Sequence, residues 1–402
     1  MSAEKFVTFF EGAQARLAEL GPEWLNTRRE EAVHRFGELG LPTTKAELWK
    51  HTNLKPLGDF DFTPSFDGAT HGLTRDGLKR ETFGDEDHHL IVFVNGLFSP
   101  ELSHVLELPA GVVVSNLVTA MNDRPDFVRD HLGAALDYYR DAPFARLNDA
   151  FFTDGAFVYL PKNARVEKPI QILFLTRPNG TAPLVSPRNL IVAENGAFAR
   201  LVESYEGPDE RAYLTNGVTE FFVAENANVD HYKLQREGHA AFHIATMGTR
   251  QEGSSRFKTN SLSFGGRLTR NDFNVDMTGE GGVSRLDGLF MTEGDQHVDH
   301  HTRIGHLAAH CESYEDYKGV LGDQSRGVFN GKIYVKKDAQ KTDAKQSNKN
   351  LLLSRKALVN TKPELEIYAD DVRCTHGATV GQLDDAAIFF TSAPAASASA
   401  RR

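Results

Sequence analysis

Cys374 and His376 stand two positions apart in the stretch DDVRCTHGATVG (370–381), one of only two places where this chain carries a cysteine. A thiol and an imidazole at that spacing could share a metal ion, act as nucleophile and base, or close off an ordinary strand. On an extended strand Val372, Cys374 and His376 lie on one face, and Arg373 and Thr375 on the other. The two reactive side chains are then about 7 Å apart at the backbone, near enough to hold one ligand together. Leu365 and Ile367 have the opposite parity, so an unbroken strand turns Cys374 and His376 away from the core, whereas a turn at Asp370-Asp371 reverses this. No oxyanion-hole signature or third orienting group accompanies them, which weakens a thiol-protease reading. A buried, inert cysteine is the ordinary alternative.

The densest set of potential metal ligands is DQHVDHHTRIGHLAAH (295–310), with His297, His300, His301, His306, His310, Asp295 and Asp299. It could supply several ligands for zinc or ferrous iron. Neither an HExxH nor a Cys-x-x-Cys template is present. The expectation is a polar strand and turn whose imidazoles bond to their neighbours, with a metal site as the alternative. The Lys-rich stretch KKDAQKTDAKQSNKN (336–350) lacks a Gly-rich phosphate cradle and reads as a solvated loop or an interaction surface. FGGRLTR and TGEGGVSRLDG read as tight turns.

The elements that must position these groups change character along the chain. Phe6, Phe10, Ala13, Leu17 and Leu20 form one helical stripe, broken at Gly21-Pro22, and Leu25, Ala32, Phe36 and Leu39 form a second. Val128, Leu132, Ala135 and Tyr139 mark a further helix that starts at Pro125. A mostly helical region over 1–150, with a strand near Leu90 to Val94, is expected to precede a strand-rich core over 151–383. There, runs such as FVYL, IQILFL, RNLIVA, TEFFVA and GKIYV alternate with Gly, Asn, Asp and Pro. AENGAFARL at 193 and AENANVDHY at 224 repeat after 31 residues, as stacked turns of a solenoid would. So many strands with almost no helix point to a β-helix. The final segment, 384–402, ends in the low-complexity TSAPAASASARR.

Composition narrows the function. With 40% apolar and 25% charged residues the chain is a folded, soluble type, and its net charge of −10 argues against non-specific nucleic-acid binding. No apolar run approaches the roughly 20 residues of a membrane span, and MSAEKFVTFFEG is not a secretory signal. Two cysteines, Cys311 and Cys374, make no disulfide framework and fit a reducing cytoplasm.

Long motifs add a resemblance. DAQKTDAKQSNKNLLLS (338–354) and TKPELEIYADDVRCTHGATVGQLDD (361–385), with ELWKHTNL, SRLDGLFM, DQHVDHHT, YEDYKGVL and SRGVFNGKIYV, resemble the SufB/SufD family of iron–sulfur cluster assembly proteins. CTHGATVG followed by QLDD is most similar to the SufD branch. The resemblance implies a right-handed parallel β-helix between helical N- and C-terminal parts, and a non-catalytic scaffold role with SufB-like and SufC-like subunits. ATP hydrolysis is then expected on the SufC partner. His376 matches a histidine at the SufB interface, where a transient iron–sulfur cluster would share it as a metal ligand; the role of Cys374 beside it is less defined. Four thiolates usually hold a cluster, and this chain has two cysteines, so no cluster is expected on the isolated chain. A flavin on the complex stays open, and the isolated chain could pair with itself. After Asp385 the sequence departs from the family's helical C-terminus; a truncated or frame-altered end is expected to dock SufC poorly. The competing readings are a stand-alone metal-binding β-helix using the 297–310 histidines and a polysaccharide-binding β-helix.

Overall fold

The computed structural model describes residues 3–70, 72–82 and 87–382. The short C-terminal segment expected over 384–402 lies outside the described residues. Two sheets dominate, one of eleven strands and one of ten, joined by turns so that the chain alternates between them. From Ala156–Leu160 onward each circuit adds one parallel strand to each sheet, the arrangement of a β-solenoid. The expected runs fall in strands Ala156–Leu160, Ile170–Leu175, Arg188–Ala193, Leu214–Val223 and Arg326–Val335.

The sequence repeat of 31 residues corresponds to one rung, but the ladder steps by 30. Ala193 pairs with Val223 and Phe198 with Asn228. Both turns hold four residues between their strands, and Asn226 at φ 61° stands where the first turn has Gly196 at φ 71°. Similar left-handed residues recur at Ser254, Gly281, His310 and Lys341, one at each equivalent turn. His310 therefore serves as a turn residue.

The two sheets differ in patterning for a packing reason. Strands Arg256–Ser263, Val283–Thr292 and Glu312–Leu321 of the ten-stranded sheet alternate buried and more exposed residues, because only one face meets the core. Strands Leu214–Val223, Phe242–Gln251 and Leu268–Met277 are buried almost throughout. Their outer face is covered by helices Ala3–Ala18 (α1) and Glu23–Leu39 (α2), with a third helix, Pro143–Phe151, packed between. Phe6, Phe10, Phe36, Phe144 and Phe151 pack on Leu214, Phe242, Ile244 and Leu268. The expected helix after Pro125 runs only over Pro125–His131; Gly133 at φ 88° ends it, and Tyr139 falls in a separate short helical turn, Asp137–Tyr139.

A buried ionic cluster fastens the helical layer to the solenoid. Arg188 donates to Asp149 Oδ1 at 2.8 Å and to Glu220 Oε1 at 2.6 Å, and all three side chains are buried. Glu220 also accepts from the backbone N–H groups of Gly133 and Ala135, and Arg28 donates to Asp149. Each carboxylate is thus paired and hydrogen-bonded, which is what lets burial of the charges be tolerated. Strands of the first 150 residues also join the sheets: His89–Val94 pairs with Ile170–Leu175, and Phe62–Pro64 with Ala182–Val185.

Candidate functional site

The solenoid ends, among the described residues, with strands Leu358–Ile367 and Arg373–Gln382, the last members of the two sheets. Each pairs on one side only, with Arg326–Val335 and Asp343–Leu352 respectively. The turn at Asp370-Asp371 reverses parity. Leu365, Ile367, Val372 and Cys374 all pack against Ile333, Val335, Ala339 and Ala344, so Cys374 points inward after all. His376 shares that inward face, yet no rung lies beyond it among the described residues, and it is exposed. Cys374 is half-buried, and burial, with Asp343 nearby, pushes its thiol up. A protonated thiol at ordinary pH is a poor autonomous metal ligand or nucleophile. Gly377 and Gly381 in the same strand have open space where a Cβ would stand.

The floor beneath this end rung is polar. The Lys-rich stretch is a turn over 336–342, as a loop reading expects, but from Asp343 it is a strand to Leu352: Lys345 and Lys349 face out, while Ala344, Gln346, Asn348 and Asn350 face in and are buried. Polar inward residues hid the strand from the hydrophobic pattern. The register runs Glu315, Gln346, His376 across three successive strands of one sheet. Gln346 Nε2 donates to Glu315 Oε2 at 2.6 Å, Asn348 Nδ2 donates to the Tyr317 carbonyl, and Asn350 Nδ2 donates to Asn348 Oδ1. None of these residues was singled out from sequence; the alternation Ala-Gln-Asn-Asn at every second position was the available signal.

Glu315 titrates unusually. Burial pushes its carboxyl up to about 7, against the opposing hydrogen bonds of Thr302 and Gln346. In the fold it keeps its proton to that pH, whereas unfolded it ionises near 4.5. Between those values the folded state binds more protons, so stability falls as pH rises through the window. Glu206, also raised to about 7 by burial, contributes in the same direction. Glu315→Gln keeps the acceptor without the charge. It is expected to flatten part of the slope and to stabilise the protein at pH 8 by about 2–3 kcal/mol. Denaturation midpoints at pH 5 and pH 8 measure this; an unchanged slope in the variant refutes it.

The 297–310 histidines are divided by the strand His297–His306 between its two faces. His300 lies in the interior between Phe290 and Tyr317, ring centroids 5.5 and 5.2 Å away, and burial pushes its imidazole down to about 3. His306 bonds Ser313 Oγ at 2.9 Å, with its imidazole lowered to about 4 by burial. On the outer face His297 bonds Thr52 Oγ1, and Asp299 pairs with His301 and Arg270. Burial opposes ionisation of Asp299, but Arg270 and His301 outweigh it and hold the carboxyl well below its usual range. Arg270 also lies over the Trp49 ring at 4.0 Å and donates to the Leu48 carbonyl. The motifs ELWKHTNL and DQHVDHHT thus meet and latch the N-terminal layer to the solenoid. Among the described residues no group of three or more His, Cys, Asp or Glu is arranged to hold a metal ion.

The chain is a β-solenoid whose last described rung carries Cys374 and His376 over an amide floor. Two family models cover it: the SufBD core domain of the SUF iron–sulfur cluster assembly system matches residues 175–393, and the SufBD N-terminal region matches residues 1–172. The chain belongs to the SufBD family of iron–sulfur cluster assembly proteins. It is 34% identical to an iron–sulfur cluster assembly SufBD family protein of Synechocystis, over 94% of this chain and 84% of that protein. It is 31% identical to the iron–sulfur cluster assembly protein SufD of Escherichia coli, over 87% of this chain and 79% of that one. Its identity to SufD of Bacillus subtilis is 26%, covering 92% and 84%.

Proposed function

We propose that this chain is a SufD-like, non-catalytic scaffold subunit that pairs with a SufB-like subunit and is coupled to a SufC-like ATPase. Iron–sulfur clusters are the cargo it helps to form, in the cytoplasm. The observation that carries the reading is the position of CTHGATVG on the terminal strand Arg373–Gln382, whose outer edge has no strand partner among the described residues. An unpaired strand edge is a template for main-chain pairing with another chain. Leu353, Leu358, Tyr368 and Val380, each about half exposed, cluster on the last rungs and offer the apolar contact such pairing needs. A second solenoid continuing the sheets here would bring its own side chains to His376.

The nascent cluster would be bound jointly. His376 would contribute one imidazole, and the remaining ligands would come from the partner, with Cys374 subsidiary because its thiol is half-buried and raised. Isolated chains would carry little iron and could pair with one another through the same edge. No helix among the described residues is long and apolar enough to cross a membrane, and the net charge of −10 gives no support to nucleic-acid binding. Coexpression with SufB-like and SufC-like subunits tests the reading. A stable complex with iron–sulfur absorbance is expected; a chain that binds neither subunit refutes it.

A further inference from the structure

The outer face of the eleven-stranded sheet carries a polar cleft that neither the latch nor the end rung uses. It holds about 200 Å³ and lies between the 47–51 segment and the strands His297–His306, Arg326–Val335 and Leu358–Ile367. That volume is below the roughly 300–1,000 Å³ of pockets for drug-sized ligands and suits a small ion. His301, Asn330 and Lys362 share one register line across the three strands, and all line the cleft. Neighbouring strands stand about 4.8 Å apart, so one small ligand can span these side chains. Asn330 is the informative member. It is only 8% exposed, and its carboxamide makes no hydrogen bond among the described residues. Nearly all buried polar groups are paired in folded proteins, so a carboxamide left open onto a cleft points to a ligand. On the other wall the side chains of Lys50 and His51 make no hydrogen bond or ion pair among the described residues. Two carboxylates also line the cleft, and each is already paired. Glu47 pairs with Lys362 at 2.7 Å, while Asp299 pairs with Arg270 at 2.7 Å and accepts from Thr52. Lys362 is shared between Glu47 and Glu364, so the uncommitted ammonium is that of Lys50.

We propose that this cleft binds a hydrogen phosphate ion, held by Lys50 and by the amide N–H groups of Asn330 and Asn360, with its own O–H donated to His301. The donors set the sign of the ligand. An ammonium and two carboxamides offer several N–H groups at once, which suits an anion with three or four acceptor oxygens. His301 sets the rest. Its Nε2 faces Asp299 Oδ1 at 3.1 Å. A carboxylate only accepts, so the neutral ring keeps its proton on Nε2 and leaves Nδ1 as an acceptor. A fully deprotonated oxyanion sets lone pair against lone pair at that nitrogen, whereas hydrogen phosphate brings one O–H to it. The site is independent of the role given to His376, which belongs to the other sheet and faces inward.

The test titrates the full chain alone with sodium phosphate at pH 7.5 and constant ionic strength, followed by calorimetry. Saturable binding at one site is expected. Asn330→Leu and Lys50→Gln should each weaken it about tenfold, the size of one hydrogen bond to a charged group. Lys349→Gln, at an outward lysine of the other sheet, should leave it unchanged. Sulfate has the same oxygens but no O–H, and should bind about fivefold more weakly, the size of one ordinary hydrogen bond. Glycerol 3-phosphate, largely without an O–H at this pH, should match sulfate. If Asn330→Leu does not fold, Lys50→Gln carries the test, because that side chain is exposed. Absence of saturable phosphate binding overturns the proposal. So does binding of sulfate or glycerol 3-phosphate as tight as that of the free phosphate ion, since His301 would then receive no proton. A loss in Lys349→Gln as large as in Lys50→Gln also overturns it, by showing general charge attraction instead of a site.

Discussion

His376→Ala, coexpressed with SufB-like and SufC-like subunits, is expected to give an assembled complex that has lost its iron–sulfur absorbance. The side chain is exposed on the terminal rung and makes no hydrogen bond among the described residues, so removing it leaves the solenoid intact. Even outer-shell partners of a metal site typically cost 10- to 100-fold in affinity or activity, so a direct ligand should cost at least about tenfold in cluster content. Iron and sulfide analysis of the purified complex, beside a circular dichroism spectrum and melt of the single chain, separates the two effects. Cys374→Ala should act differently. Cys374 packs against Ala344 and Ile333 in the last core cluster, so its loss is a small-cavity change with a smaller effect on cluster content. Normal cluster content in His376→Ala would sink the site assignment and leave the family membership untouched.

The largest expected effect on stability comes from a residue remote from that end. Arg188→Leu leaves Glu220 with only backbone partners, and Asp149 with the half-buried Arg28 and more distant Arg146. Breaking a buried, hydrogen-bonded ion cluster from one side typically costs about 3–5 kcal/mol. Lys5 and Asp61 form a pair between α1 and the segment that leads into strand Phe62–Pro64, both well exposed, and removing that pair should cost about 1 kcal/mol or less. Both tryptophans, Trp24 and Trp49, lie in the N-terminal layer that the Arg188 cluster fastens down. Tryptophan fluorescence in denaturant should therefore show that layer leaving early in Arg188→Leu. Coincident unfolding with a loss below about 1 kcal/mol would mean that the layer is held by apolar packing alone.

Both outcomes turn on where polar groups sit relative to a core, and there the sequence was legible only in part. Helical stripes such as Phe6, Phe10, Ala13 and Leu17 were readable because their apolar faces meet the sheet, and all four are buried. The strand-rich texture and the near-repeat at 193 and 224 were readable because one rung is one sequence period. The helix after Pro125 was overextended because a left-handed glycine, Gly133, stops it before Leu132, Ala135 and Tyr139 can share a face. The Lys-rich stretch escaped as a strand because its inward residues, Gln346, Asn348 and Asn350, satisfy one another by hydrogen bonds and need no apolar character.

By itself, then, the sequence determined a solenoid-forming texture, the helical layer and the motif that carries Cys374 and His376, since periodicity and residue type are local properties. Only the tertiary structure decided which way that motif faces. The turn at Asp370-Asp371 shifts the alternation by one, so Cys374 and His376 both take the inward face of the last described strand, where Cys374 meets the core and His376 is exposed. A period-2 pattern is blind to such a shift, because a single added residue exchanges the two faces of every strand that follows. The histidines of 297–310 followed the same rule: similar in sequence, they were sorted by strand parity into a buried stack and an outer latch.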